Sequence, residues 1–199
     1  MKVLIATTNL GKVGIYRQAF DELGIEVISL RDLDIDITVE ENGATVIDNA
    51  VIKAMSYHKA TGLPVLANDS GLIIDKFSDD DQPGLLVRRY NGKELTDNDL
   101  LNLYIDKLNA VGGSSTGHYN VGLAIVDGAG VLHTREFHPK RYFISTPSPV
   151  IIKGIPLSSL CYDKSTNRYL SEMSVKERND YEGDEFLGQL EFIKECFKV

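Results

Sequence analysis

The start of the chain alternates apolar runs with an amphipathic segment. Residues 2–7 form an apolar run that predicts a buried β-strand, and the polar residues after it predict a turn. Residues 13–23 carry apolar side chains at helical spacing, which predicts an amphipathic helix that ends at Gly24. Residues 25–30 form a second apolar run, so the β-α-β order predicts an α/β fold. The predicted apolar face of the helix consists of Ile15, Tyr16, Ala19, Phe20 and Leu23.

A second helix and a polar interruption follow. Residues 45–61 predict a helix that ends at Gly62. Short apolar runs at 64–67 and 72–74 flank Asn68-Asp69-Ser70-Gly71, a sequence typical of a turn. The predicted apolar side of this helix consists of Ile47, Val51, Ala54 and Met55.

The rest of the chain predicts a helix, a hairpin, an irregular stretch and a final helix. Their ranges are 96–108 with Thr96 as N-cap, 119–126 paired with 131–143, 145–159, and about 185–197. With 199 residues and no evident linker, we expect a single domain over 1–199, formed by two lobes that share the sheet.

Charge and cysteine content narrow the function classes. The formal net charge of −8 argues against a nucleic-acid surface, which needs dense lysine and arginine. Two cysteines without CxxC spacing indicate neither a disulfide framework nor a zinc site. No apolar run is long enough to span a membrane or to resemble a signal peptide, so we expect a cytoplasmic protein with no membrane partner.

Residues 7–12, Thr-Thr-Asn-Leu-Gly-Lys, lie between a predicted strand and a predicted helix. Hydroxyl groups, backbone amides at a helix start and the Lys12 ammonium suit phosphate oxygens. An ordinary β-turn-α connection explains the same residues, since the spacing is not that of a Walker or dinucleotide-binding loop.

Two further segments carry candidate charged groups. Glu40 or Glu41 could bind a hard cation and Lys53 could reach a phosphate, or all three are solvated charges. Arg88 and Arg89 could clamp a phosphate, or they could offset the acidic residues 79–81.

Asp69 and Ser70 lie between two apolar runs, where a carboxylate risks desolvation without a metal or a donor. This placement favours a functional role for Asp69, as a metal ligand or as a general base that activates water.

In order, these segments resemble the inosine/xanthosine triphosphate pyrophosphatase family over about the first 92 residues. The family motifs T-T-N-x-x-K, E-x-x-G-x-T with N-A-x-x-K-A, G-L-P-V-L-A-D-D-S-G-L and P-G with A-R-Y are matched in sequence. Asn68 replaces the first Asp of the third motif. The matching residues are Thr7, Thr8, Asn9, Lys12, Glu40, Gly43, Thr45, Asn49, Ala50, Lys53, Ala54, Gly62 to Leu72, Pro83, Gly84, Arg89 and Tyr90.

The resemblance implies an elongated, two-lobed α/β protein with a central mixed β-sheet flanked by helices and a cleft between the lobes. It implies a homodimer that uses Mg²⁺, with Mn²⁺ as an alternative, to hydrolyse nucleoside triphosphates to monophosphate and pyrophosphate. Family members prefer deaminated purines. Carried over by position, the resemblance assigns the metal to Glu40 and Asp69 and the catalytic roles to Asp69 and Lys53. The residues that it assigns to phosphate or nucleotide binding are Thr8, Asn9, Lys12, Lys53, Ser70, Arg89 and Arg178.

The C-terminal half departs from the family pattern. Where the family has G-F-G-Y-D-P-x-F, a gap-free alignment gives residues 154–161 with Ser158 at the Asp position. An alternative register matches Tyr162-Asp163 instead. Where the family has S-H-R, which reads the oxo edge of the base, this chain has Glu182, Gly183 and Asp184. Replacing donors by carboxylates predicts an altered base preference, with a penalty of roughly a few kcal/mol against a 6-oxo group.

Three hypotheses follow. The first is a Mg²⁺-dependent nucleoside triphosphate pyrophosphatase with altered base preference. The second is a catalytically silent nucleotide-binding or regulatory protein of the same fold, suggested by Asn68 and the lost S-H-R. The third is an enzyme of the same kind of chemistry that acts on another phosphorylated substrate. Among such enzymes, the related group that cleaves modified pyrimidine triphosphates is disfavoured, because it carries S-x-S-P-R-R where this chain has T-T-N-L-G-K.

Overall fold

A computed structural model describes residues 1–33 and 37–199, and the side chains within them except those of Gln18 and Glu22. The helices are α1 (Leu10–Glu22), α2 (Val46–Thr61), α3 (Asp97–Ala110), α4 (Val175–Glu182) and α5 (Asp184–Phe197). The strands are β1 (Lys2–Ile5), β2 (Glu26–Ser29), β3 (Val65–Ile74), β4 (Arg89–Tyr90), β5 (Lys93–Glu94), β6 (Ser114–Val126), β7 (Leu132–Phe137), β8 (Lys140–Ile144), β9 (Tyr162–Asp163) and β10 (Arg168–Tyr169). These elements confirm the predicted α/β class.

The chain divides into two compact units. Unit 1 comprises Met1–Ser70, Val121–Phe137 and Asp184–Val199, and unit 2 comprises Gly71–Asn120 and His138–Gly183. The prediction of one domain with two lobes remains a prediction.

Unit 1 is built on the strand order β2-β1-β3-β6-β7. Strand β1 pairs in parallel with β2 and β3, whereas β7 pairs antiparallel with β6. This mixture of parallel and antiparallel pairs confirms the predicted mixed sheet.

Helices cover both faces of the unit 1 sheet. Val3 and Ile5 of β1 pack with apolar residues of α1 and α5 on one face. Leu4 and Ala6 pack with apolar residues of α2 on the other face. Because successive side chains of a strand point to opposite faces, a strand buried on both sides reads as one uninterrupted apolar run. That is why the pattern identified β1 correctly.

The predicted turn at Asn68–Gly71 is wrong, because these residues continue the ten-residue strand β3. Leu66 faces the α1 and α5 side, and Ala67 faces α2. The alternation then directs Asn68 and Ser70 toward α1 and Asp69 toward α2. Turn-forming residue types remain in a strand here because the pairing of the strand and the contacts of its polar side chains outweigh local propensity.

The predicted helices at 13–23 and 45–61 exist as α1 and α2, but their buried faces differ from the expected ones. Ile15 and Met55 are exposed. The buried face of α1 consists of Val13, Tyr16, Ala19 and Phe20, and that of α2 of Val46, Asn49, Ala50, Lys53, Ala54 and Tyr57. Helix α2 is therefore rotated so that two polar side chains, Asn49 and Lys53, lie on its buried face.

In unit 2, β8 pairs antiparallel with residues 114–118 of β6, and α3 begins after the predicted N-cap Thr96. The predicted strand 131–143 is broken between β7 and β8 at His138-Pro139, where proline has no N–H to donate to a ladder. Helix α4 was not predicted, because it has no buried residue and therefore no apolar periodicity.

Gly122 holds α2 close to the sheet, since a Cβ there would lie 2.7 Å from the backbone carbonyl carbon of Val46. We predict that Gly122→Ala destabilises the protein by about 1–3 kcal/mol, because the helix start must move away from β6. Gly14→Ala is the matched control, since a Cβ at this helical position meets nothing within 4 Å. It should stabilise the protein by about 0.5–1 kcal/mol. Urea unfolding followed by circular dichroism measures both changes; equal stabilities would contradict the close approach.

Candidate functional site

Asn9 organises the loop between β1 and α1. Its Oδ1 accepts from the backbone N–H groups of Gly11 at 2.9 Å and Lys12 at 3.3 Å, so it is the N-cap of α1. Its own N–H donates to the Thr7 hydroxyl at 3.2 Å, while Thr8 is exposed. The positive end of a helix dipole and the Lys12 ammonium are thus brought to one loop, an arrangement that favours anions.

Lys12 connects this loop to the sheet. Its Nζ donates to the Ser70 hydroxyl of β3 at 2.8 Å. Three of the residues predicted to hold phosphate, Asn9, Lys12 and Ser70, therefore lie in one connected group in unit 1.

The start of α2 is fixed by its flanking loop. Thr45 and Asp48 form a capping box, with the Asp48 N–H donating to the Thr45 hydroxyl at 3.1 Å and the Thr45 N–H donating to the Asp48 carboxylate at 3.0 Å. The Gly43 N–H donates to Asn49 Oδ1 at 2.8 Å, and a Cβ at Gly43 would lie 2.5 Å from that of Asp48. This contact explains the glycine of the E-x-x-G-x-T motif.

Asp69 lies against the buried face of α2. Its Oδ2 accepts from Asn49 Nδ2 at 3.0 Å, and its Oδ1 lies 3.5 Å from Lys53 Nζ. Lys53 also donates to Glu41 Oε2 at 2.7 Å. The side chains of Lys53 and Asp69 are only 10% and 15% exposed, so their charges interact in surroundings of reduced dielectric. Two carboxylates around one ammonium leave one negative charge in excess.

Asn68 lies on the other face of β3. It is 5% exposed, and its Oδ1 has no hydrogen-bond partner within residues 1–33 and 37–199. Asn68, which replaces the first Asp of the family motif, therefore changes only the α1 side of β3. The contacts of Asp69 with Asn49 and Lys53, on the other side, remain in place.

The donor set around Lys53 suits a hard cation. Mg²⁺ prefers oxygen ligands and is usually bound through one or two carboxylates, with waters and substrate phosphates completing its shell. Glu41 and Asp69 supply two such carboxylates. In the described part of the chain no three His, Cys, Asp or Glu side chains cluster closely enough to hold a metal by themselves.

The other predicted residues take varied positions. Glu40 is exposed, and the neighbouring Glu41 contacts Lys53 instead. Asp184 is the exposed first residue of α5, where an acidic side chain stabilises the helix dipole. In unit 2, Arg89 is exposed on β4. The Ser158 hydroxyl donates to the Ile155 carbonyl at 2.7 Å.

Asp163, in the alternative register, is engaged in its own turn. Its carboxylate accepts from the Ser165 N–H at 2.9 Å and from the Thr166 hydroxyl at 2.7 Å. Because burial opposes these hydrogen bonds only partly, the pKa of Asp163 is lowered.

Two predicted residues of the divergent segment lie on α4. Glu182 ends the helix and forms an ion pair with Arg141 of β8. Arg178 lies one turn earlier and is partly buried; desolvation lowers its pKa although the Glu182 carboxylate acts in the opposite direction.

Two residues with clear contacts, Asn49 and Arg141, received no role from the sequence. Asn49 could have been found, because it lies within a matched motif one turn before Lys53. Arg141 carried no local signal, because its partner Glu182 lies 41 residues away.

Comparison with known proteins agrees with this fold. The family model described as the Ham1 family matches residues 3–138. A dITP/XTP pyrophosphatase of Erwinia tasmaniensis is 30% identical over 178 residues, which cover 89% of this chain and 85% of that protein. The chain therefore belongs to the Ham1 family.

Two further comparisons define the extent of the likeness. A dITP/XTP pyrophosphatase of Shigella flexneri is 38% identical over 110 residues, covering 55% of this chain and 54% of that protein, so the chain spans about half the length of such curated relatives. A solved HAM1 protein from Coxiella burnetii has a TM-score of 0.72 at 25% identity and covers 98% of this chain and 99% of its own.

Among the helices described, none combines the length and the hydropathy needed to cross a membrane.

The Asn49–Asp69 hydrogen bond can be tested by an isosteric substitution. Asn49→Asp puts a second carboxylate against Asp69 where a donor stood, so we predict a loss of about 1–3 kcal/mol in the free energy of unfolding at pH 7. Like charges raise the pKa of a carboxyl group in the folded protein above its unfolded value of about 4, so the loss is full at neutral pH, shrinks as pH falls through the raised pKa and is largely gone by about pH 4.

Urea unfolding at pH 7 and pH 4 measures this effect. Asn102→Asp, on the exposed side of α3, is the control and should change stability by less than about 0.5 kcal/mol at either pH. A pH-independent loss in Asn49→Asp would contradict the charge contact.

Proposed function

We propose that this chain is a divalent-cation-dependent nucleoside triphosphate pyrophosphatase, with Mg²⁺ as the cation and Mn²⁺ as an alternative. It would hydrolyse triphosphates to nucleoside monophosphate and pyrophosphate. The observation that carries the proposal is the contact of Asp69 with both Asn49 and Lys53 on the buried face of α2. The membership of the Ham1 family and the relatives named dITP/XTP pyrophosphatase support it.

Asp69 would orient and deprotonate the attacking water. Asn49 holds one carboxylate oxygen through a hydrogen bond, which leaves the other oxygen next to Lys53. A carboxylate fixed in this way is suited to take a proton from the attacking water. The water oxygen then bonds to the phosphorus of the monophosphate product, and the P–O bond to the pyrophosphate leaving group breaks. Proton transfer of this kind contributes typically about 10²–10⁴ in rate.

The cations have the complementary role. Lys53, and Lys12 with the amides at the start of α1, would bind the phosphate oxygens, and Thr8, Asn9 and Ser70 belong to the same loop region. Glu41 and Asp69 would hold the divalent cation, with Glu40 as the further candidate that the family pattern predicts. When bound, the cation would supply Lewis-acid neutralisation of phosphate charge.

The base preference is proposed to be altered from that of deaminated purines, because Glu182 and Asp184 stand where the family carries donors. Arg89, Arg178 and Ser158 remain candidates for nucleotide contact. A homodimer is proposed on the same family resemblance, and a cytoplasmic location on the low cysteine content without CxxC spacing.

Asp69→Asn is expected to lower kcat for triphosphate hydrolysis by about 10²-fold or more, because the amide cannot accept the proton. Asp21→Asn, an exposed carboxylate on α1, is the control and should retain the parent rate. Pyrophosphate release is measured for a panel of nucleotides with Mg²⁺, with Mn²⁺ and with chelator.

Equal rates in Asp69→Asn and the parent would contradict the proposed role. Nucleotide binding in calorimetry without turnover under either cation would instead favour the silent nucleotide-binding alternative, which rests on the Asn68 replacement and the lost S-H-R.

A further inference from the structure

The carboxylate of Glu182 is already engaged within unit 2. Its Oε1 accepts from Arg141 Nη2 at 2.5 Å, while Arg141 Nη1 donates to the carbonyl of Lys140 at 2.8 Å. The side chains of Arg141 and Glu182 are 8% and 24% exposed, so the pair is largely withdrawn from water. Oε1 of Glu182 is thus committed to Arg141, and the guanidinium neutralises the charge of the carboxylate.

The surroundings make the two charges depend on each other. The Arg141 guanidinium lies 6.0 Å from the Tyr119 ring centroid and 5.6 Å from that of Tyr181. Burial raises the pKa of the nearby Cys161 thiol to about 12, which indicates a poorly hydrated environment. Desolvation is the largest single influence on Arg141 and opposes its charge, but the Glu182 carboxylate is the strongest of several opposing influences, which together raise the pKa of Arg141. Removing either partner would leave an uncompensated buried charge.

Helix α4 depends on ion pairs because it contains no buried residue. At its start, Ser174 and Glu177 form a capping box, and Glu177 accepts from Arg168 at 2.6 Å. At its end, the Arg141–Glu182 pair joins it to β8. Tyr181 adds a partial apolar contact with the unit 2 core. The position of α4 is therefore fixed at both ends by charge contacts.

We infer that Glu182 is a positioning residue, which holds the end of α4 through Arg141 and does not read the base, so that the chain discriminates only weakly between oxo-bearing and amino-bearing bases. This inference rests on the proposed nucleotide hydrolysis. Because the Arg141 guanidinium neutralises the carboxylate, Glu182 should repel a 6-oxo group or attract a 6-amino group only weakly. Since the donors of S-H-R are also absent, we expect the kcat/KM values for inosine and adenosine triphosphate to lie within about tenfold of each other.

The test combines local stability with substrate preference. Glu182→Gln should speed amide hydrogen exchange in α4 by about tenfold or more, because Arg141 loses its counter-charge. It should also raise KM for both triphosphates by the same factor with kcat retained. The reason is that α4 carries Arg178, a candidate for nucleotide contact, and loses its position in this variant. Asp180→Asn, an exposed carboxylate on the same helix, is the matched control and should change neither quantity.

A double variant distinguishes positioning from base reading. Arg141→Leu with Glu182→Leu replaces the pair by apolar side chains, which is often neutral for stability, and should restore α4 protection and KM toward the parent values. A change of more than about tenfold in the preference of Glu182→Gln between the two triphosphates, with α4 protection unchanged, would overturn the inference.

Calorimetric Kd values for both triphosphates keep the two proposals distinguishable. If the chain binds both nucleotides but hydrolyses neither, the catalytic proposal fails and the ratio of Kd values still tests the weak discrimination. If the chain binds neither nucleotide, the inferred weak discrimination between bases fails as well. Hydrogen exchange in the variants then still decides whether the Arg141–Glu182 pair holds α4 in place.

Discussion

Asp69 lies in the middle of a buried strand, and a carboxylate in that position requires donors on the facing element. Asn49 and Lys53 supply them from α2, so the position of α2 determines the environment of Asp69. That position depends in turn on the close approach at Gly122 and on the packing of Gly43 against the start of the helix. An unpaired carboxylate would cost several kcal/mol or lose its charge by protonation. The chemistry proposed for unit 1 therefore depends on the same packing of α2 against the sheet that forms its core.

Local pattern predicted much of the fold but not the orientation of its polar side chains. Strand β1 and the cap Thr96 were predicted correctly, because each depends on neighbouring residues alone. Residues 68–71 were predicted as a turn because their intrinsic preferences are those of a turn, and only tertiary partners keep them extended. The exposure of Met55 has the same origin: α2 turns Asn49 and Lys53 inward because Asp69 binds them.

The candidate site shows the same limit. The family motifs contain Asp69, Lys53 and Lys12, and the structure connects each of them to a partner within unit 1. The contact from Glu41 to Lys53 and the pair of Arg141 with Glu182 join residues distant in sequence, so no local pattern indicates them. The divergent C-terminal segment accordingly acquires a different interpretation. One of its new carboxylates is a structural partner of an arginine, and the other begins a helix.

The products formed from one purified triphosphate test the central claim most directly. Inosine triphosphate is incubated with the protein and Mg²⁺, and the phosphorus-containing products are identified by ³¹P NMR. The account predicts inosine monophosphate and pyrophosphate in equal amounts. Inosine diphosphate with orthophosphate, or unchanged triphosphate, would contradict it.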